Sequence, residues 1–364
     1  MGTIDHLANA VVAPYWFADG AFRGGLADEA ASQNARMPTG RLFRDEPQTN
    51  VIPTKAMLGR HLFAGPIWNH FGHILVDSLH RLWGYNGHDS IVFTGVIGLR
   101  GVSCIEDLHS WTIPSFVPQL LNYMGINARI HIVSEPTRFE RLDVPELGAI
   151  WRMNIKPFYR EHLRRFQSKI EARTKSIKPT AKRLYYSRTH MLTDGGIIGS
   201  SYFEKILQEN GFTVCQPEKL SLEQQFANLM NSDQIVFDEG SSVHLTELLD
   251  YVPAKLYMIP RRDNDVVFGR ALTPRGGLVY LSPENNLGSL PDRNGSISSP
   301  ATLSYVKAPE KVVNVMQEYG LVASTFNMEE YRQLEFSDLM SAKSKDTKLR
   351  DLRANLLADF RSKQ

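Results

Sequence analysis

The chain has 364 residues, 42% hydrophobic and 22% charged, which is enough apolar material to bury a core in each of two domains of ordinary size. A formal net charge of +2 is too small to recruit a nucleic acid or a membrane by charge alone. Two cysteines far apart, Cys104 and Cys215, make no disulfide framework and point to a reducing compartment.

The opening MGTIDHLANAVVAPYW has no basic segment followed by a long apolar run, and His6 breaks the myristoylation pattern. No apolar run reaches the length of about 18 residues expected of a membrane span. These features predict a cytoplasmic chain without a transmembrane segment. No repeat of fixed period is visible. Residues 18–60, rich in Gly, Ala, Asp and Asn, read as surface loops and short elements. A strong helix follows over 69–84. IVFT (91–94) and RIHIV (129–133) read as buried strands, with a helix between them over 114–125 that Gly125 stops. Pro157 opens a further helix that runs to about Arg173. The basic, polar stretch RTKSIKPTAKR (173–183) reads as a domain linker.

Beyond the linker the pattern is regular. RLYYS (183–187), FTVCQ (212–216), QIVFD (234–238) and KLYMI (255–259) read as strands. Helices alternate with them: one over 201–210 opened by a Ser201-x-x-Glu204 capping box, one opened by Ser221-x-x-Gln224, and one over 242–250. Such alternation with short connections predicts a parallel, doubly wound sheet, hence an α/β fold. The turn-rich run 282–300 reads as mobile, and the last thirty or so residues as helical. This gives an N-terminal domain over 1–175, a C-terminal domain over 183–330 and a helical tail over 331–364.

Two constellations carry chemistry. On the helix over 69–84, a step of roughly 100° per residue places Asn69, His70, His73, Asp77, His80 and Arg81 on one side and Phe71, Leu75, Val76, Leu79, Leu82 and Trp83 on the other. The polar side lacks the Lys and Glu of an ordinary solvated face. His73 and Asp77 are i,i+4, so a carboxylate can fix the tautomer of an imidazole that takes a proton from a hydroxyl. A face satisfied by structural hydrogen bonds and a His/Asp metal site are the other readings. No H-E-x-x-H or CxxC spacing supplies further ligands, so no metal and no cofactor are expected. The second constellation is Arg188, which follows one strand, and Asp238-Glu239-Gly240-Ser241-Ser242, which follows another and leads into a helix carrying His244. Ligands of doubly wound sheets sit at the carboxyl ends of strands. Arg188 can pair with a diphosphate, the helix start and Gly240 can receive phosphate, and Glu239 can accept hydrogen bonds from ribose. Asp263-Asn264-Asp265 resembles a metal-binding DxD signature but reads as surface charge.

These residues resemble glycosyltransferase family 61. That family shows Asn-x-x-x-His-x-x-x-Asp on one helix with Leu-x-Arg soon after, standing here as Asn69, His73, Asp77, Leu79 and Arg81. It goes on to Ser-Arg after a strand, a Gly-Phe pair, Leu-Ser followed by Gln, and a Gly-rich turn opening a helix. Here these are Ser187-Arg188, Gly211-Phe212, Leu220-Ser221 with Gln225, and Glu239-Gly240-Ser241 with His244. The chain departs in having Thr189-His190-Met191 where members commonly carry a second Arg and an Asn, and Glu-Gly-Ser-Ser where many eukaryotic members show His-Gly-Ala-Gly. The chain is similar to bacterial members linked to capsular polysaccharide synthesis, and the resemblance implies two Rossmann-like domains facing across a cleft (the GT-B type). It implies an inverting, metal-independent transfer from a nucleotide-sugar, taken as uridine-diphosphate-linked, to a hydroxyl of a glycan or glycolipid. His73 or Asp77 would be the base, Asn69 and Arg81 would lie on the acceptor side, and Arg188 with residues 239–244 would bind the donor. Peripheral contact with the inner face of a membrane is compatible with that reading. The rival readings are a non-catalytic nucleotide- or glycan-binding protein of the same fold and a His/Asp metal-dependent hydrolase.

Overall fold

The computed structural model describes residues 2–27, 34–35, 44–46, 48–150, 155–262, 268–292, 294–297, 302–342 and 347–363. They form two compact α/β units: Met1–Lys175 with His244–Tyr251, and Ser176–Val243 with Val252–Gln364.

Unit 1 is built on a seven-stranded sheet of β1 (Ile4–Ala18), β2 (Ala21–Leu26), β3 (Arg44–Glu46), β4 (Lys55–Ile67), β5 (Ser90–Ile97), β6 (Arg129–Val133) and β7 (Thr137–Pro145), in the order β3-β2-β1-β7-β4-β5-β6. β7, β4, β5 and β6 run parallel, while β1 lies antiparallel to both β7 and β2, so the sheet is mixed. β5 is buried along its whole length, as a central parallel strand should be. Phe63, Val92, Phe139, Leu142 and Val144 form a core against one face. The region over 18–60, expected to hold surface loops and short elements, contains the short strands β2 and β3 and the first part of the long strand β4. β4 escapes a period-2 reading because its pairing shifts register between Phe63 and Gly65 and between Met57 and Arg60. Gly65, at φ +101°, has a further reason to be glycine: a Cβ there would lie 2.5 Å from Arg81 Nη1.

Unit 2 holds β8 (Arg183–Tyr186), β9 (Ile197–Ile198), β10 (Thr213–Cys215), β11 (Gln234–Asp238), β12 (Lys255–Ile259), β13 (Val279–Tyr280), β14 (Leu287–Leu290) and β15 (Leu303–Val306). Five of these form a wholly parallel sheet in the order β10-β8-β11-β12-β13. Counted within this sheet, the order is 2-1-3-4-5. The winding reverses between β8 and β11, where a crevice opens at the carboxyl ends of the strands. β14, β15 and β9 make a small second sheet, so the run 282–300 contains a paired strand within its described residues.

Helices Ser200–Glu209 and Leu222–Asn231 alternate with the strands. The second is capped as its sequence predicts, Ser221 accepting from the Gln224 N–H. The first is not. Its N-cap is Gly199, and the carboxylate of Asp338 accepts from the Gly199 N–H (2.8 Å), the Ser201 N–H (3.2 Å) and the Ser201 hydroxyl (2.5 Å). Glu204, the expected partner in the capping box, instead accepts from Ser187 and Thr189. Asp338 lies on helix Met328–Ser341, whose Tyr331 is buried in the same core as Tyr202, Phe203 and Val236. The C-terminal helices are therefore part of unit 2 and not an appended tail.

Candidate functional site

The first constellation begins where β4 ends. Trp68 is buried and Asn69 exposed. His70 is extended, and its Nδ1 accepts from the His73 N–H at 3.3 Å. The segment then turns through a short α-helix (Phe71–His73), a π turn (Ile74–Ser78) and a 3₁₀ turn (Leu79–Gly84). The Leu79 N–H reaches the Ile74 carbonyl five residues back, which defines the π turn, a feature that recurs at functional sites.

Within it His73 Nδ1 lies 3.3 Å from Asp77 Oδ2. The His73 ring packs between those of Trp68 and His70, at 5.0 and 4.3 Å. Its side chain is 28% exposed and that of Asp77 is 0% exposed. A buried carboxylate behind Nδ1 leaves the outer ring nitrogen for proton transfer.

The single polar face expected from an α-helix does not survive the change of pitch. His80 is buried and bonds the Tyr159 hydroxyl at 3.2 Å. Arg81 is 0% exposed, and its guanidinium donates to the carbonyls of Ala64 and Asn34. Arg81 thus anchors the segment on β4 and cannot touch an acceptor, contrary to its expected place. Asn69 and His73 are the members of the motif that reach the surface.

The second constellation sits at the winding reversal in unit 2. β8 and β11 are parallel neighbours, Tyr186 opposite Phe237, so Arg188 and the turn after Asp238 emerge side by side. A small recess there is lined by Arg188, Gly195, Gly196, Ile197, Ser200, Asp238, Glu239 and Arg261. Arg188 lies over Gly240, where a Cβ would come within 2.8 Å of its Cδ and Nη1. The Nε of Arg188 is buried and has no hydrogen-bond partner among the described residues.

Glu239 is 1% exposed and has partners of its own: it accepts from the Arg261 N–H at 2.9 Å and from Arg262 Nε at 2.8 Å. Both its oxygens are engaged inside the unit, so the expected bonds to ribose are not needed to satisfy them. Ser241 and Ser242 open the helix expected over 242–250, which is of the 3₁₀ type (Ser241–Leu248). His244 packs with unit 1, its Nδ1 3.7 Å from Glu247. Burial pushes the Asp238 carboxyl up to about 6, against the pull of hydrogen bonds from Tyr185 and the Arg188 N–H.

Arg261 was not singled out in the sequence, where only the neighbouring Asp263-Asn264-Asp265 drew notice and read as surface charge. The signal was available: Arg261 follows β12 as Arg188 follows β8, at the same edge of one parallel sheet. Among the described residues no group of three or more His, Cys, Asp or Glu side chains could hold a metal ion. Asp263 and Asp265 lie outside the described residues.

Residues 71–247 match the family model of glycosyltransferase 61. The match covers a little under half of the chain and supports the family, and with it a glycosyltransferase. It encloses His73, Asp77, Arg188 and the 239–244 turn; Asn69 falls just before its start. No curated protein matches the chain. No helix among the described residues is long and apolar enough to cross a membrane.

Proposed function

We propose that the protein transfers a sugar from a nucleotide-sugar, uridine-diphosphate-linked in our reading, to a hydroxyl of a glycan or glycolipid, in the synthesis of a surface polysaccharide. The observation that carries this is Arg188: a guanidinium at the winding reversal of a 2-1-3-4-5 parallel sheet, laid over Gly240 with Nε unpartnered, inside the glycosyltransferase 61 match. A planar guanidinium matches the paired oxygens of a diphosphate.

The transfer is inverting in this reading. The acceptor oxygen forms a bond to the anomeric carbon while the bond to the diphosphate breaks. His73 takes the acceptor's proton, and Asp77, which no acceptor can reach, orients the imidazole. The electron pair leaves with the diphosphate, whose charge is held by Arg188. Arg261 adds a second positive charge at the same recess. Guanidinium groups take the part that a metal ion plays in other transferases, so EDTA should leave activity intact. Activity that vanishes with EDTA and returns with Mn²⁺ would turn attention to Asp263 and Asp265.

The central test is Arg188→Ala titrated with uridine diphosphate. Loss of charge-assisted hydrogen bonds should weaken binding by roughly 10- to 150-fold. Unchanged affinity would place the diphosphate elsewhere. Turnover of a panel of sugar nucleotides, with and without added glycans, separates a transferase from a protein that only binds.

A further inference from the structure

The backbone ladder between β8 and β11 ends with Tyr186 opposite Phe237. The next amides on β8 need other acceptors. The Arg188 N–H finds one in a side chain: it donates to Asp238 Oδ2 at 2.7 Å. The other oxygen of Asp238 accepts from the hydroxyl of Tyr185 at 2.7 Å. Tyr185 is wholly buried and Asp238 is 3% exposed. Both oxygens of the carboxylate therefore point inward and lock the end of β8 to the end of β11 where the two strands part.

The side chain of Arg188 then lies across Gly240, two residues beyond Asp238. The short run 238–240, from the end of β11 into the turn after it, thus holds Arg188 twice, its backbone through Asp238 and its guanidinium through the space Gly240 leaves. Burial costs a carboxylate more than an amide, and an amide would close the ladder equally well. Burial raises the Asp238 carboxyl to about 6 and the Arg188 charge offsets only part of that, so its place here is as an acceptor more than as a charge.

We infer that Asp238 and Tyr185 are positioning residues for Arg188, fixing its backbone so that the guanidinium is aimed from over Gly240 at a diphosphate. This rests on the reading of Arg188 as the diphosphate-binding group.

The test uses the full chain and inorganic pyrophosphate as the probe, titrated calorimetrically. Asp238→Ala should weaken pyrophosphate binding by roughly 10-fold or more, and Asp238→Asn, which keeps an acceptor for the Arg188 N–H, should restore affinity to within about 3-fold of wild type. In an Arg188→Ala background neither substitution at 238 should weaken binding further, because residues acting through one group are not additive. Where Asp238→Ala fails to fold, Tyr185→Phe carries the test. It removes one hydrogen bond without changing shape, and should weaken binding with Arg188 present and have no effect with it absent.

Wild-type affinity in Asp238→Ala and Tyr185→Phe, alongside a loss in Arg188→Ala, overturns the positioning role and leaves the diphosphate site standing. Losses that add in the double variants overturn it as well. Wild-type affinity in Arg188→Ala removes the diphosphate site itself, and the positioning role with it.

Discussion

His73 and Asp77 divide one chemical task by exposure. The imidazole is partly open and the carboxylate is sealed, 3.3 Å away. Asp77→Asn keeps the shape of a buried side chain and removes the carboxylate that orients His73. We expect the fold to persist, with a melting temperature near wild type, and transfer to fall by roughly 10²-fold or more, the usual scale for general acid–base groups. Transfer at a near wild-type rate would take Asp77 out of the mechanism. The pairing of His73 with Asp77 was legible because i,i+4 neighbours stay close from the α turn into the π turn, whereas Asn69 precedes the extended His70 and lies outside the helix. Their burial was not legible. Arg81 and Glu239 look like ligand-binding side chains in sequence, yet each is satisfied by partners distant along the chain or brought by another strand: Asn34 and Ala64 for the one, Arg261 and Arg262 for the other.

Helix Ser200–Glu209 begins at the recess, through Ser200, and its first N–H groups belong to Asp338. An anion supplied by the protein fills this helix start, so it is not where a donor phosphate would sit. Asp338→Ala should cost about 0.5–2 kcal/mol of stability, the range for a lost N-cap, read as a lower urea midpoint at unchanged slope. It should also loosen the Gly195–Ser200 wall of the recess. A midpoint equal to wild type would mean that the helix caps itself another way. Four strands of the parallel sheet in unit 2, β8, β10, β11 and β12, were readable almost to the residue, since such strands are short apolar runs bounded by turns, but β13 and the small sheet of β9, β14 and β15 were not. The cap was not, because a local Ser-x-x-Glu pattern is silent about a carboxylate arriving from a helix more than a hundred residues later. β4 was lost for a different reason: Gly59, Gly65 and Pro66 look like a loop, and only pairing with β5 and β7 makes the bulged segment a strand.

At the scale of the molecule the two units titrate in opposite senses. In unit 1, burial lowers His131 to about 4 from 6.5 and also lowers His61, His88 and His162. Burial opposes ionisation of Asp143, but hydrogen bonds from His6, His88 and Arg60 outweigh it and lower that carboxyl too. By these groups folded unit 1 binds fewer protons than its unfolded chain, and the stability they contribute is lost as pH falls below 6.5, for His131 through about 4. In unit 2, burial raises Asp238 to about 6 from 3.8 and raises Asp338 as well. The contribution of Asp238 is fully present below 3.8 and is lost as pH rises through about 6, and that of Asp338 is lost in the same direction. Acid should therefore unfold unit 1 first. All five tryptophans (Trp16, Trp68, Trp83, Trp111 and Trp151) lie within residues 1–175, so tryptophan emission reports on unit 1 alone. At fixed urea its transition should come at a higher pH than the loss of far-ultraviolet circular dichroism; coincident transitions would contradict the assignment. The same division has a consequence for ancestry. The chain enters unit 2 after Lys175, returns to unit 1 for His244–Tyr251, and leaves it again. That returning segment brings Asp250 to Arg160 and Arg164, Glu247 to His80, and the buried Leu245, Leu248 and Leu249. A single genetic crossover near the linker would hand unit 1 a foreign version of that segment, so the units cannot be shuffled among relatives as independent modules: they are two bodies by packing and one by inheritance.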